Sequence, residues 1–186
     1  MLATSEQLNY NFLAHAKLPP EGPVSEEFFE NIFLYGAGLK FIQAVRAEGG
    51  WEAVDRVFQD PPQATTLILR PERYLAGERQ AKTVTIPLRA GESLQGQQVR
   101  GEYQVQLLFA QQAETRSQLD ALSQGYVADT LGIIQDAAGQ VRHRWVIELE
   151  STKAVEELAG SFEQAIALEQ PTAQVSQQET QLWAEW

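Results

Sequence analysis

Apolar residues recur in alternating steps of four and three from Phe28 through Ile32, Tyr35, Leu39 and Ile42, and Phe29, Phe33, Phe41 and Val45 widen the same stripe. That spacing predicts one long, deeply buried helix over residues 26–47, because positions three and four apart share a helix face. Ser25 stands where an N-cap belongs, and Glu26 and Glu27 suit the positive end of the helix dipole. Gly36 and Gly38 each cost about 1 kcal/mol of helix propensity relative to alanine, which points to a close approach by another helix. Gly49 ends the element. The stretch "GGWEAVDRVFQDPPQATTLILRPERY", residues 49–74, then divides into turns and short helices. Trp51, Val54 and Phe58 share one face of a second helix, which Pro61 and Pro62 stop. Residues 64–69 support a third, ended by Pro71 through its effect on the residue before it.

Further along, "KTVTIPLR" (82–89) alternates like a strand, with Pro87 arguing for an edge position, and "GESLQGQQVRGE" reads as a loop. Residues 101–123 have helical spacing at Tyr103, Leu107 and Leu108, interrupted by the polar run "AQQAETRSQ". "DTLGIIQDAAGQVRHRWVIELE" is the clearest hairpin, two apolar or alternating runs around a turn containing Asp136 and Gly139. Ser151 or Thr152 caps a last helix with Val155, Leu158, Phe162, Ala165 and Ile166 on one face. The expected fold class is therefore α+β: a helical N-terminal half with one long buried helix, then a small antiparallel sheet packed with helices. An extended lead-in over 1–24, containing Pro19, Pro20, Gly22 and Pro23 after a short helix near residues 4–16, precedes a single domain over 25–170. A glutamine-rich tail or last strand follows over 171–186.

Composition narrows the chemistry. At 186 residues with 44% apolar content, the chain can bury a real core. No apolar run is long enough to span a membrane and no signal peptide is visible, so as written the chain reads as soluble and untargeted; removal of a targeting peptide would leave the same appearance. Peripheral membrane association would have to run through a membrane-protein partner. A formal charge of −11 opposes nucleic acids and anionic lipids. The absence of cysteine excludes thiolate chemistry, and His15 and His143 lack the spacing of a helical metal site, so neither a metal nor another cofactor is expected.

The segment "YGAGLKFIQAVRAEGGWEAVDRVFQDPPQATTLILRPERY" resembles one found in a family of uncharacterised bacterial and archaeal proteins related to zincin-type metallopeptidases. In that family a Tyr-x-x-Gly-x-x-Phe helix leads to Gly-Gly-Trp, Pro-Pro-x-Ser-Thr-Glu and His-Pro-Glu-Lys-Tyr. "RGEYQVQLLF", "GYVADTLGII" and "WVIELESTKAVEELAGSFEQAI" extend the similarity weakly, so that it covers about residues 32–168 and is specific only over 35–74. The family's His-Glu-x-x-His lies upstream of the shared region and has no counterpart here. Gly49, Gly50, Trp51, Pro61, Pro62, Thr65, Leu69, Pro71, Glu72 and Tyr74 keep the pattern, whereas Ala64, Thr66 and Arg70 replace the family's Ser, Glu and His. The resemblance implies a scaffold that keeps turn-forming and core residues and has lost polar chemistry.

Candidate binding residues follow from these departures. Arg70, Glu72, Arg73 and Tyr74 form a polar turn whose guanidinium groups suit a carboxylate, or else an ion-pair network that pins the turn. Trp183 and Trp186, in the last four residues, either pack back on the domain or anchor a partner. Glu102 reads as a helix-start carboxylate or a buried acid, Glu148 and Glu150 as the solvent face of a strand, and His143 as a surface residue. No catalytic set emerges. The expected function is non-catalytic protein binding, as an assembly or accessory factor on a degenerate metallopeptidase-related scaffold, with another protein as partner. The alternatives are the substrate-binding C-terminal part of a zinc metallopeptidase whose catalytic helix lies on another segment or chain, and a small-molecule module with a pocket between the long helix and the sheet.

Overall fold

The computed structural model describes residues 30–110 and 125–186. The lead-in, the Ser25 cap, the first turn of the long helix and the polar run after residue 110 lie outside the described residues. The fold is α+β, and the chain separates into two compact units, Met1–Gln80 and Ala81–Trp186.

In the first unit a π-helical segment, Ile32–Ala37, runs into α1, Gly38–Gln59. The helix breaks at Gly49 (φ −146°, ψ 24°) and Gly50 (φ 64°, ψ −161°), so residues 38–48 and 51–59 form two arms. Glycine is required at position 50 because its φ is positive, and a Cβ on Gly49 would meet that of Ala53 at 2.8 Å. Two short helices follow, α2 (Thr65–Leu69) and α3 (Pro71–Leu75), separated by Arg70 in a non-helical conformation, as Pro71 demands. Phe41, Val45, Val54, Val57, Leu67 and Tyr74 make the core, with Phe41 and Tyr74 edge to face at 5.1 Å.

The buried stripe differs from the one the spacing predicts. Leu34 and Tyr35 are exposed on the π-helical segment, and in the second arm Val54 and Val57 point inward while Trp51 and Phe58 face solvent. Val54 and Val57 are one helical step of three apart; Trp51 and Phe58 are seven apart and fall on the neighbouring face. Both faces are apolar in sequence, and packing selects the valine face.

The second unit is a five-stranded antiparallel sheet, order β1-β2-β3-β5-β4, built from β1 (Ser93–Gln98), β2 (Tyr126–Gln135), β3 (Val141–Leu149), β4 (Gln174–Gln178) and β5 (Gln181–Glu185). β2 and β3 are the expected hairpin. Asp136 closes its turn by accepting from the amides of Ala138 and Gln140 at 2.9 Å each, and Gly139 supplies the positive φ. Helices α4 (Glu102–Ala110) and α5 (Thr152–Glu169) cover one face of the sheet. Ser151 caps α5 by accepting from the Ala154 amide at 3.2 Å, and Val155, Leu158, Phe162, Ala165 and Ile166 are all buried. Each of the larger of these side chains contributes about 1.5–3 kcal/mol on leaving water, which is why the spacing and the structure coincide here.

The opposite face is crossed by an extended strap, residues 81–92, that does not join the ladder. The strand expected over 82–89 is therefore corrected, and so is the loop expected after it, which contains β1. Val84 and Ile86 alternate inward against Ala128, Ile134 and Val146. The strap's polar backbone pairs with side chains instead of another strand: the Val84 amide donates to Thr130 Oγ1 at 2.8 Å, and the Pro87 carbonyl accepts from Arg144. Alternation here records a contact with a sheet face, which has the same period as a strand's own pairing.

Candidate functional site

The turn at Arg70–Tyr74 is held by its own chain. Tyr74 is buried and its hydroxyl donates to the Asp60 carbonyl at 2.6 Å. Arg79 lies 4.1 Å from the Tyr74 ring centroid, donates to the Tyr74 carbonyl at 2.8 Å and bonds the Asp60 carboxylate. Arg73 donates through Nε and Nη2 to Glu78 Oε2 at 3.1 and 2.7 Å. The guanidinium fork thus receives a carboxylate, but one from five residues along, and Glu72 points to solvent. Arg70 is half-buried between α2 and α3, its amide bonded to the Thr66 carbonyl at 2.8 Å. Pro61 and Pro62 follow the end of α1, and Pro71 opens α3.

Two buried polar centres organise the second unit. Asp129 of β2 has no solvent exposure and accepts from four donors: the amides of Arg100 (3.0 Å) and Gly101 (2.8 Å), the Tyr126 hydroxyl (2.6 Å) and Trp145 Nε1 (2.9 Å). It holds the turn that leads into α4 from a neighbouring strand, through the two amides that precede the helix. Glu102, buried at the start of α4, accepts from Gln106 Nε2 at 3.2 Å.

The other centre ties the strap to the sheet. Arg144, 2% exposed, meets Glu92 with two bonds of 3.0 Å, reaches Glu185 through Nε at 2.7 Å and through Nη2, and donates to the Pro87 carbonyl. Arg89 reinforces it, with Nη1 to Glu185 at 2.8 Å and its amide to Glu92 at 2.7 Å. Burial works to raise the carboxyl groups of Glu92 and Glu185. Bonds to Arg144, with help from Arg89, outweigh it and hold both below the usual carboxylate range. Arg144 is held above its ordinary value: burial lowers it, and the two carboxylates more than compensate.

Trp183 and Trp186 belong to the end of the sheet. Trp183 is half-buried on β5 against the Val84, Ile86 and Val146 cluster. Trp186 exchanges backbone bonds of 2.8 and 3.1 Å with His143 and stacks on its ring at 5.7 Å. Glu148 is half-buried and Glu150 exposed, with Ile147 and Leu149 buried. Arg100 lies 5.0 Å over the Trp145 ring beside a shallow depression of about 20 Å³, room for about one water.

Among the described residues, the largest exposed apolar side chains that share a face lie elsewhere. Trp51, 61% exposed, and Phe58, 81% exposed, stand two turns apart on the second arm of α1. Arg46 lies 4.6 Å over the Trp51 ring, and Glu52 and Asp55 are exposed alongside. The structure thus brings Trp51 forward from a core assignment to a surface one and withdraws Tyr74 into the core. The hint available in sequence is that Trp51 and Phe58 share a helix with a competing apolar face, Val54 and Val57. Asp129 and Arg144 were legible only as charges at the margins of apolar strand runs.

Among the described residues, no three histidine, aspartate or glutamate side chains gather as a metal-binding group, and no helix is long and apolar enough to cross a membrane. Comparison with protein-family models, with curated proteins and with solved structures finds no match.

Proposed function

We propose that the chain is a non-catalytic protein-binding factor, of the assembly or accessory kind, on a degenerate scaffold related to zincin-type metallopeptidases. The observation that carries this reading is the pair Trp51 and Phe58, two large aromatic side chains 61% and 81% exposed on one helix face. Each leaves apolar surface that the described residues of its own unit do not cover, and aromatic residues of this kind dominate the energetics of interfaces. The helix that carries them is fixed from behind by Val54 and Val57 in the core, so the face is rigid and little ordering entropy is lost on binding.

The test is purification of the tagged protein from its source beside the variants Trp51→Ala and Phe58→Asp, with zinc measured in the same eluates. A stoichiometric partner that is retained by the parent and lost by both folded variants supports the reading. Retention by both variants removes the aromatic face from consideration. Stoichiometric zinc, or a partner carrying His-Glu-x-x-His, replaces the reading with that of the substrate-binding part of a split metallopeptidase.

A further inference from the structure

The two edges of the sheet differ in how they are protected. β1 carries a register shift between Leu94 and Gly96, the kind of bulge that discourages an added strand. β4 pairs with β5 without interruption from Gln174 opposite Glu185 to Gln178 opposite Gln181. Its five residues, Gln-Val-Ser-Gln-Gln, include no charge, no proline and no bulge. Among the described residues no strand lies on its outer side.

The direction of each backbone group on β4 follows from the neighbouring ladder. The His143 amide bonds the Trp186 carbonyl, the Trp186 amide bonds the His143 carbonyl, and the Leu149 amide bonds the Thr180 carbonyl. Even-numbered residues along residues 180–186 therefore turn their backbone groups toward β3, and Gln181, Trp183 and Glu185 turn theirs toward β4. Their partners Gln178, Ser176 and Gln174 are satisfied, which leaves the N–H and C=O of Val175 and Gln177 directed outward. Side chains divide oppositely: Gln174, Ser176 and Gln178 share the face of Trp183, while Val175 and Gln177 share the face of Leu182, beneath α5.

We infer that this edge pairs with the same edge of a second copy of the chain, antiparallel about a twofold axis at Ser176. Of the symmetric registers, this axis is the one that pairs both outward-facing residues of each copy. Val175 must lie opposite the copy's Gln177 as a hydrogen-bonded pair, and Gln177 opposite its Val175, giving four backbone bonds around a central, non-bonded pair of Ser176 residues. Gln174 then faces the copy's Gln178, and amide side chains are self-complementary because each carries donors and an acceptor. Neutrality favours the arrangement: in a chain with a net charge of −11, the β4 edge is a place where two copies meet without like charges directly opposed. Ser176, which pairs with half-buried Trp183, places only a small side chain at the axis. A strand pair of this length falls below the roughly 1,200 Å² of a standard interface, so the dimer is weak and concentration-dependent. The inference goes beyond the aromatic-face reading and does not depend on it.

The chain contains no cysteine, so a single introduced thiol reports cleanly on the register. At a non-hydrogen-bonded antiparallel pair the Cβ atoms come to about 4.5 Å, within the span of a disulfide. Ser176→Cys is expected to form a covalent dimer under mild oxidation at least tenfold faster than Ser93→Cys on the other edge. Sedimentation of the parent protein from about 10 μM to about 1 mM is expected to show a reversible monomer–dimer equilibrium. Gln177→Pro removes an outward N–H while leaving the β4–β5 ladder intact, and it should weaken association at least tenfold. Should that variant fail to fold, Ser176→Lys places like charges across the axis and must give the same loss. A parent protein that stays monomeric throughout the range overturns the inference, as do equal cross-linking rates at positions 93 and 176. Association that survives in a folded Gln177→Pro variant, or a monomer whose β4 edge accepts only an unrelated extended peptide, overturns it too.

Discussion

Replacing Arg144 by methionine removes a buried cation while nearly conserving the length and bulk of the side chain. Glu92 and Glu185 then lose two charge-assisted bonds each, and the Pro87 carbonyl loses its donor. The cations that remain near them are Arg89, 57% exposed, which reaches Glu185 at 2.8 Å and Glu92 at 3.7 Å, and Arg142, 40% exposed, which reaches Glu185 at 3.6 Å, so they compensate only in part. Removing one partner of a buried ion pair costs about 3–5 kcal/mol, most of it from the charge left behind. With Arg89 still present, we expect about 3 kcal/mol at pH 7. At about 2 kcal/mol per molar urea, the midpoint should fall by roughly 1.5 M. The transition is followed by near-ultraviolet circular dichroism, where the packed Trp145 contributes. The pH dependence tests the cause. In the parent protein the folded-state values of Glu92 and Glu185 are depressed. Their stabilisation is therefore fully present above the ordinary carboxylate range near pH 4.3 and is lost as pH falls through the depressed values. In the variant, burial goes unopposed by Arg144 and the two carboxyl groups move upward, so acid relieves the penalty. The difference between the proteins should shrink from pH 7 to pH 4. A loss below about 1 kcal/mol at pH 7, or one that is equal at both pH values, refutes the assignment of Arg144 as the electrostatic clasp of the strap.

Three further substitutions test other parts of the fold. Asp129→Ala strands four donors, the two amides just before α4 and the Tyr126 and Trp145 side chains, and should cost about 3 kcal/mol, with hydrogen exchange at Arg100 and Gly101 accelerating before the rest of the sheet; unchanged exchange there would contradict the role of Asp129 in holding that turn. Gly132→Val places a side chain where even a Cβ would lie 2.2 Å from Ile86 Cδ1, so thermal unfolding should show a loss of about 1–3 kcal/mol, read as a drop in melting temperature. Ser151→Ala removes the cap of α5 and should cost about 1 kcal/mol, whereas Ser151→Asp should recover most of it in the same denaturation assay.

Legibility varied with how local the cause of each element is. The α5 helix was readable in its buried stripe and, to within one residue, in its cap, because both lie within one continuous segment. The β2–β3 hairpin was readable for the same reason: its turn chemistry, Asp136 and Gly139, sits between its strands. The strap was half readable. Its period of two was recognised and matches the inward-facing Val84 and Ile86, but period cannot distinguish pairing at an edge from lying across a face. β1 was missed because "SLQGQQ" has the polarity of a loop, and only its pairing with β2 makes it a strand. In α1 the period of 3.6 was correct, but two apolar faces competed and sequence alone does not rank them.

The polar centres were illegible for a different reason. Arg144 meets Glu92 and Glu185 across 52 and 41 residues, and Asp129 meets Gly101 across 28, so no local motif contains either centre. What the sequence does carry is the anomaly: Asp129 and Arg144 each border an apolar run of a strand that burial of a single unpaired charge would forbid. Such a charge needs a partner of opposite kind, or several donors, from another element. Strand pairing restricts where it can come from, since Arg144 and Glu185 are opposite each other in the β3–β5 register. The glutamate at position 92 and the amides at positions 100 and 101 then fix segments that have no ladder of their own at those points. The two centres therefore act as the specificity devices of the second unit. Hydrophobic burial alone would tolerate the strap sliding along the sheet by two residues, whereas the Arg144 bonds to Glu92 and Pro87 admit one position. The same reasoning separates these charges from the aromatic pair Trp51 and Phe58: the charges are satisfied within the fold, whereas the two rings stay exposed.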